Sequence, residues 1–336
     1  MLLLAMAMTT AAGPQYRQSL NGGPEVMWEL PNSTPHSALF LAHGCNHQGT
    51  DFWSASSACP RCLGLPEEVR ITKAALAAGF AVVAITSADR SSGCWDFEVD
   101  GPVVKESIAV WKAVADLPAS LPLVAFGASS GGAFVLQLPT LLKCAAIISQ
   151  IMAIPPQMLP PDAPPTLFVH MPRDVRTAGY VHKCVRRLGG QGVAAHALEV
   201  PPQKPTADFF LARIERLAPE TAHALHAALR RAGLLDADGY LANDPRRTPW
   251  RDALASAALR AALPGPAAGG APDSLVGDQS AVAEALNVAW AAHEIASDPM
   301  ATTLAWLANV RAGKPERAPN ATPAVVENAA SHPGEL

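Results

Sequence analysis

The sequence predicts an α/β protein with a mostly parallel central sheet, helices on both faces, and a helical cap inserted after the penultimate core segment. Three observations lead there. Short apolar runs of strand length alternate with helix-compatible runs through short connections, the pattern that builds parallel sheets covered on both sides. One such run, 121–126, stops abruptly at Gly127-Ala128-Ser129-Ser130-Gly131-Gly132, and a helix-compatible run follows. From Thr206 to about residue 262 the periodicity turns helical and amphipathic, which interrupts the alternation.

Taken in order, residues 38–42 form a compact apolar strand that ends at His43-Gly44-Cys45 and gives way to a polar loop with Gly49, Asp51 and Trp53. Residues 66–78 open with Glu67 and Glu68, carry Val69, Leu76 and alanines, and stop at Gly79. They read as a helix whose acidic residues suit its positive end. A strand at 80–85, an irregular loop around 91–96 and a helix at 102–116 precede the strand 121–126. Beyond the glycines, Phe134, Val135, Leu138, Leu141 and Leu142 recur near helical spacing. Strands follow at 145–149 and 166–170, the second running into Met171-Pro172-Arg173-Asp174. A helix at 177–188 is stopped by Gly189-Gly190, and 193–200 is the last clear strand. Phe209, Phe210, Ile214, Leu217, Leu225, Leu229 and Leu234 mark the inserted helices. An apolar segment, 286–290, then leads to His293-Glu294, and Pro299 opens a closing helix with Leu304, Trp306, Leu307 and Val310. The expected division is an N-terminal targeting or disordered segment at 1–24, a core at 25–205, a cap-like insertion at 206–280, a C-terminal core segment at 281–312 and a disordered tail at 313–336.

Composition narrows the function classes. With 336 residues, 49% hydrophobic and 16% charged, the chain is expected to be globular and to bury a large core. A net charge of −4 without a Lys/Arg block gives nucleic acid no electrostatic footing, so a small or neutral molecule is the expected partner. No apolar run approaches the ~18 residues of a transmembrane helix. The apolar octet 1–8 lacks the positive flank of a signal peptide, so a soluble cytoplasmic protein is favoured over a secreted one. Glycosylation patterns at Asn32 and Asn320 matter only on secretion, and oligomeric state is not legible. Of six cysteines, at 45, 59, 62, 94, 144 and 184, only Cys59 and Cys62 have CxxC spacing. Without a second CxxC or a histidine pair at finger spacing they point to a local disulfide, with Cys94 as a further candidate partner, or to free thiols. A redox pair is the third option, and no metal is expected.

Together, the strand into His43-Gly44, the glycine-bracketed serine and the strand ending at Asp174 make the chain resemble the α/β hydrolase superfamily over about residues 36–200 and 286–311. That resemblance implies a nucleophile, acid and histidine in chain order. Ser129 matches the nucleophile, favoured by strand register over the looser frame centred on Ser130. The backbone N–H groups of Cys45 and Ser130 match an oxyanion hole, worth about 3 kcal/mol per donor in such sites. Asp174 matches the acid, with a helix cap as its other reading; Asp162, in a proline-rich loop, is a poorer candidate. The loop 201–206 contains no histidine, a departure from the commonest pattern. His182 and His196 lie within a helix and a strand, and His223 and His226 on an amphipathic helix, whereas the place of His293, before a short loop and the closing helix, resembles that of the family's catalytic histidine. His43, Trp53 and Trp95 are tentative pocket residues, with support of the oxyanion loop as the alternative for His43 and core packing for the two aromatics. The implied activity is hydrolysis of a small or apolar carboxylic ester through an acyl-enzyme, without metal or organic cofactor. The alternative is a non-catalytic scaffold that binds a partner.

Overall fold

The apolar runs become the strands of one eight-stranded sheet. In the computed structural model, which describes residues 13–18, 24–265 and 272–315, these are β1 (Gln15–Gln18), β2 (Glu25–Glu29), β3 (Ser37–Ala42), β4 (Phe80–Ile85), β5 (Leu123–Ala128), β6 (Ala146–Gln150), β7 (Thr166–His170) and β8 (Ala195–Glu199). Their spatial order is β1-β2-β4-β3-β5-β6-β7-β8. β2 runs antiparallel to β1 and to β4, and every other pair is parallel. The helices are α1 (Pro66–Ala77), α2 (Phe97–Val114), α3 (Ser130–Gln137), α4 (Val175–Gly190), α5 (Ala207–Leu211), α6 (Pro219–Arg231), α7 (Trp250–Ala253), α8 (Ala257–Ala262), α9 (Ala281–Trp290) and α10 (Met300–Arg311).

β3 to β7 are buried at every position because both faces are covered. The strands' alternation sorts their side chains into two cores. Leu39, Leu41, Val82, Val124, Phe126, Ile148 and Leu167 meet Ile71 of α1 and Trp306 of α10. On the opposite face Phe40, Val83, Ala125, Ile147 and Phe168 meet Ile108 and Trp111 of α2, Phe134 of α3 and Val181 of α4. Each of the larger side chains contributes about 1.5–3 kcal/mol by leaving water. A third core lies within the inserted helices, where Phe210, Leu225, Leu229 and Trp250 pack with Leu286 and Val288 of α9.

Several boundaries differ from expectation. Gln15–Gln18 lies in the stretch read as targeting or disordered, yet it is an edge strand paired with β2, and β2 itself has no counterpart in the expected elements. α2 begins five residues before the expected start at 102. Asp96 caps it by accepting from the N–H groups of Glu98 and Val99, and Pro102 sits inside it. α9 shares the insertion's apolar core, whereas the chain from Ala291 onward rejoins the sheet's, so the two cores part at the end of α9 rather than at residue 280. Glu67 and Glu68 are buried in the first turn of α1 rather than displayed at its end. Residues 1–12, the pattern at Asn320 and the tail from 316 onward lie outside the described residues. Among the described residues no helix is long and apolar enough to cross a membrane.

Candidate active site

β5 runs two residues past its expected end, to Ala128, and α3 starts at Ser130, so Ser129 alone makes the turn. Its backbone takes φ 52° and ψ −120°. A positive φ outside glycine costs about 1–3 kcal/mol and persists only where the surroundings impose it. Here the Ser129 N–H donates to the carbonyl oxygen of Gln150 at 3.0 Å. Crowding explains the flanking glycines. A Cβ on Gly127 would stand 2.1 Å from the Gly131 carbonyl oxygen, and one on Gly131 2.3 Å from that of Ala42. Both obstacles are backbone and cannot rotate away.

The structure brings Ser129, Asp174 and His293 together. Ser129 Oγ lies 2.9 Å from His293 Nε2, and His293 Nδ1 lies 2.6 Å from Asp174 Oδ2. The other Asp174 oxygen, Oδ1, caps α4 by accepting from the Thr177 N–H at 3.1 Å, so the hydrogen bond to His293 and the helix cap use different oxygens. Burial pushes the Asp174 carboxyl up, but hydrogen bonds from His293 and Thr177 outweigh it and leave the group below the ordinary aspartate value. With Nδ1–H held by that carboxylate, Nε2 is free to take a proton from the serine. The His293 side chain keeps 41% of its surface exposed, enough for a substrate or water to reach it.

Three contacts bring His293 back after the helical detour. α9 ends at Ala291 in the left-handed region, and the Ala291 carbonyl accepts from the Arg173 N–H at 3.2 Å, beside Asp174. The side-chain amide of Gln150 holds both backbone groups of Ala296 at 3.0 Å. Glu67 Oε2 accepts from the N–H and Oγ of Ser297, each at 2.6 Å. The sequence reading missed Gln150 and Glu67, since a lone amide at a strand end and a glutamate in a first helical turn carry no distinguishing pattern.

On the other side of Ser129, a Cβ on Gly44 would lie 3.6 Å from the Ser129 Cβ, so the loop after β3 rests against the serine. The backbone N–H groups of Cys45 and Ser130 have no acceptor among the described residues. The neighbouring loop 91–96 fastens this one. Cys45 and Cys94 form a disulfide, the Asn46 N–H donates to the Ser92 carbonyl at 2.7 Å, and Trp95 Nε1 donates to the His43 carbonyl at 2.9 Å. Cys59 and Cys62 form a second disulfide, while Cys144 and Cys184 are free and buried. Burial pushes those two thiols up to about 12 and about 11, away from the reactive thiolate.

The tentative pocket residues mostly pack inside. The His43 imidazole is buried, with Nε2 accepting from the Ser87 N–H at 3.1 Å and Nδ1 donating to the Gly44 carbonyl at 2.7 Å. Both ring nitrogens are thereby occupied, and burial lowers its pKa to about 3, so the ring is a neutral prop for the loop. Trp53 belongs to the sheet's core and donates Nε1 to Glu29 Oε2 at 2.8 Å. Trp95 is half-buried and stacks on Phe134 with ring centroids 4.5 Å apart. These placements correct the pocket reading of His43 and Trp53: their polar atoms are spent on protein partners.

No family model matches the chain, and no curated protein does either. Solved structures similar to it include a lipase in an open form, 22% identical, with a TM-score of 0.29 and coverage of 43% of this chain and 46% of that one. A dienelactone hydrolase from Anabaena variabilis is 16% identical, with a TM-score of 0.44 and coverage of 63% and 94%. A truncated carbohydrate esterase from gut microbiota is 15% identical, with a TM-score of 0.42 and coverage of 58% and 90%. The strand order, the antiparallel β2 and the serine turn between β5 and α3 define the architecture independently of these likenesses. The chain has the α/β hydrolase fold.

Proposed function

We propose that this chain is a serine hydrolase acting on a small or apolar carboxylic ester. The observation that carries the reading is the hydrogen-bonded series from Ser129 Oγ through His293 to Asp174, assembled from residues 164 and 119 positions apart in sequence. Ser129 Oγ attacks the ester carbonyl while His293 Nε2 takes its proton. The carbonyl oxygen, now negative, accepts from the backbone N–H groups of Cys45 and Ser130. His293 returns the proton to the departing alcohol, and the same cycle with water frees the acid and restores Ser129. Asp174 fixes the imidazole tautomer and stabilises its protonated form. The two disulfides favour folding in an oxidising compartment over the cytoplasm expected from the sequence.

A fluorophosphonate probe tests the reading. Folded protein should be labelled once, at Ser129, and Ser129→Ala should block labelling and lower ester turnover by roughly 10⁴-fold or more. Unlabelled wild-type protein, or equal labelling of Ser129→Ala, would falsify it.

A further inference from the structure

The reaction proposed above uses no group from residues 206–280, yet side chains of that segment reach the two loops that carry the reacting groups: Arg213 pairs with Asp298 just before the closing helix, and two others meet residues at or next to the ones proposed to react. The first is Arg246, on the short 3-10 helix Pro245–Arg247. Asp244 fixes that helix by accepting from the Arg246 N–H at 3.0 Å, and its carboxylate also stands 4.0 Å from the Arg246 guanidinium. Arg246 Nη2 donates to the carbonyl oxygen of His293 and to Glu294 Oε2, the latter at 3.3 Å. Glu294 is anchored in turn, because Oε2 also accepts from Asn287 Nδ2 of α9 at 2.8 Å. The second is Asp278, whose Oδ2 accepts from Asn46 Nδ2 at 3.1 Å, one residue beyond the N–H of Cys45. Apart from Cys45–Cys94, no covalent link holds either loop among the described residues.

We infer that Arg246 is a positioning residue: through the His293 carbonyl and Glu294 it sets where the imidazole stands, while Asp278 steadies the Cys45 loop through Asn46. The inserted segment thereby holds the two sides of the site in register. The inference rests on the hydrolase reading. Its physical basis is that an imidazole hung between two hydrogen-bond partners still follows its own backbone, and misplacement by about 1 Å costs on the order of 100-fold in rate. The guanidinium suits the task because its planar fork of donors serves a carbonyl and a carboxylate together.

The test measures kcat and KM with p-nitrophenyl butyrate, the rate of fluorophosphonate labelling and the melting temperature. Arg246→Ala should lower kcat and labelling rate by about 10- to 100-fold with KM little changed. Arg246→Lys should recover part of that loss, since an ammonium can still donate to one of the two acceptors. Asp278→Ala should cost only a few-fold, and Arg247→Ala, an exposed neighbour on the same 3-10 helix, should match wild type. If Arg246→Ala does not fold, Arg246→Met keeps the stem without the donors and is read in its place. Wild-type kcat in a folded Arg246 variant without donors overturns the inference, as does a kcat that falls only in proportion to the folded fraction. Wild-type protein that neither turns over nor labels removes the hydrolase reading instead, so the two failures are distinguishable.

Discussion

The two sides of the site are held by different means. Ser129 and the loop at Cys45 stand at the ends of adjacent parallel strands, braced by backbone crowding, a disulfide and a buried neutral histidine. Asp174 and His293 come from segments far apart in sequence, and His293 is held mainly by polar contacts from Gln150, Glu67, Arg173 and Arg246. One side is built by sterics and covalent linkage. The other is built by hydrogen bonds, several of them from or to charged side chains.

Changing one atom pair on the polar side should therefore remove chemistry while leaving the fold intact. Asp174→Asn keeps an oxygen able to accept from the Thr177 N–H, so the cap on α4 and the melting temperature should be nearly preserved. The amide favours the wrong tautomer of His293, and turnover should fall by roughly 10³–10⁴-fold. A matching loss of melting temperature would mean that Asp174 is chiefly structural.

Removing the covalent brace should do the reverse. Cys45→Ala/Cys94→Ala frees a closure spanning 49 residues and should cost about 2–4 kcal/mol in denaturant unfolding, with a smaller loss of turnover than Asp174→Asn. The Cys59–Cys62 pair closes a span of only three, so breaking it should cost less. Equal losses from the two pairs would contradict this ranking.

The smallest effect is a difference in pH window. The unfolded chain protonates His43 near pH 6.5, whereas the folded one resists until about 3, so its contribution to stability is complete above 6.5 and declines as the pH falls from there towards 3. Asp174, with its folded pKa lowered, contributes fully above the ordinary aspartate value, and that contribution is lost only as the pH falls through its lowered one. From pH 7 to 4.5 the urea midpoint of His43→Asn should fall less, or rise more, than that of wild type, while Asp174→Asn should parallel wild type. Identical slopes for His43→Asn and wild type would remove His43 as a source of the acid sensitivity.

Legibility followed the same divide. The serine turn was visible because its glycines are demanded by backbone atoms within three residues of the serine or on the adjoining strand, and such local demand leaves a short pattern. The central strands were visible because burial on both faces makes them continuously apolar. β1 was not, since an edge strand with residues such as Gln15 and Arg17 carries no apolar run. α2 was started late because Gly101-Pro102 reads as a break, although Asp96 caps the helix well before it. His293 could be read only from a family resemblance in its place before the closing helix. The contacts that hold it, from Gln150, Glu67 and Arg246, join residues 47–230 positions apart, and no local spacing records them.

α9 packs in the insertion's core and α10 in the sheet's, and the imidazole hangs on the strip of chain between them. A residue tethered to two separately packed bodies keeps its place only while both are solid. Heat resistance of the activity is therefore set by whichever body softens first, however durable the sheet beneath the serine.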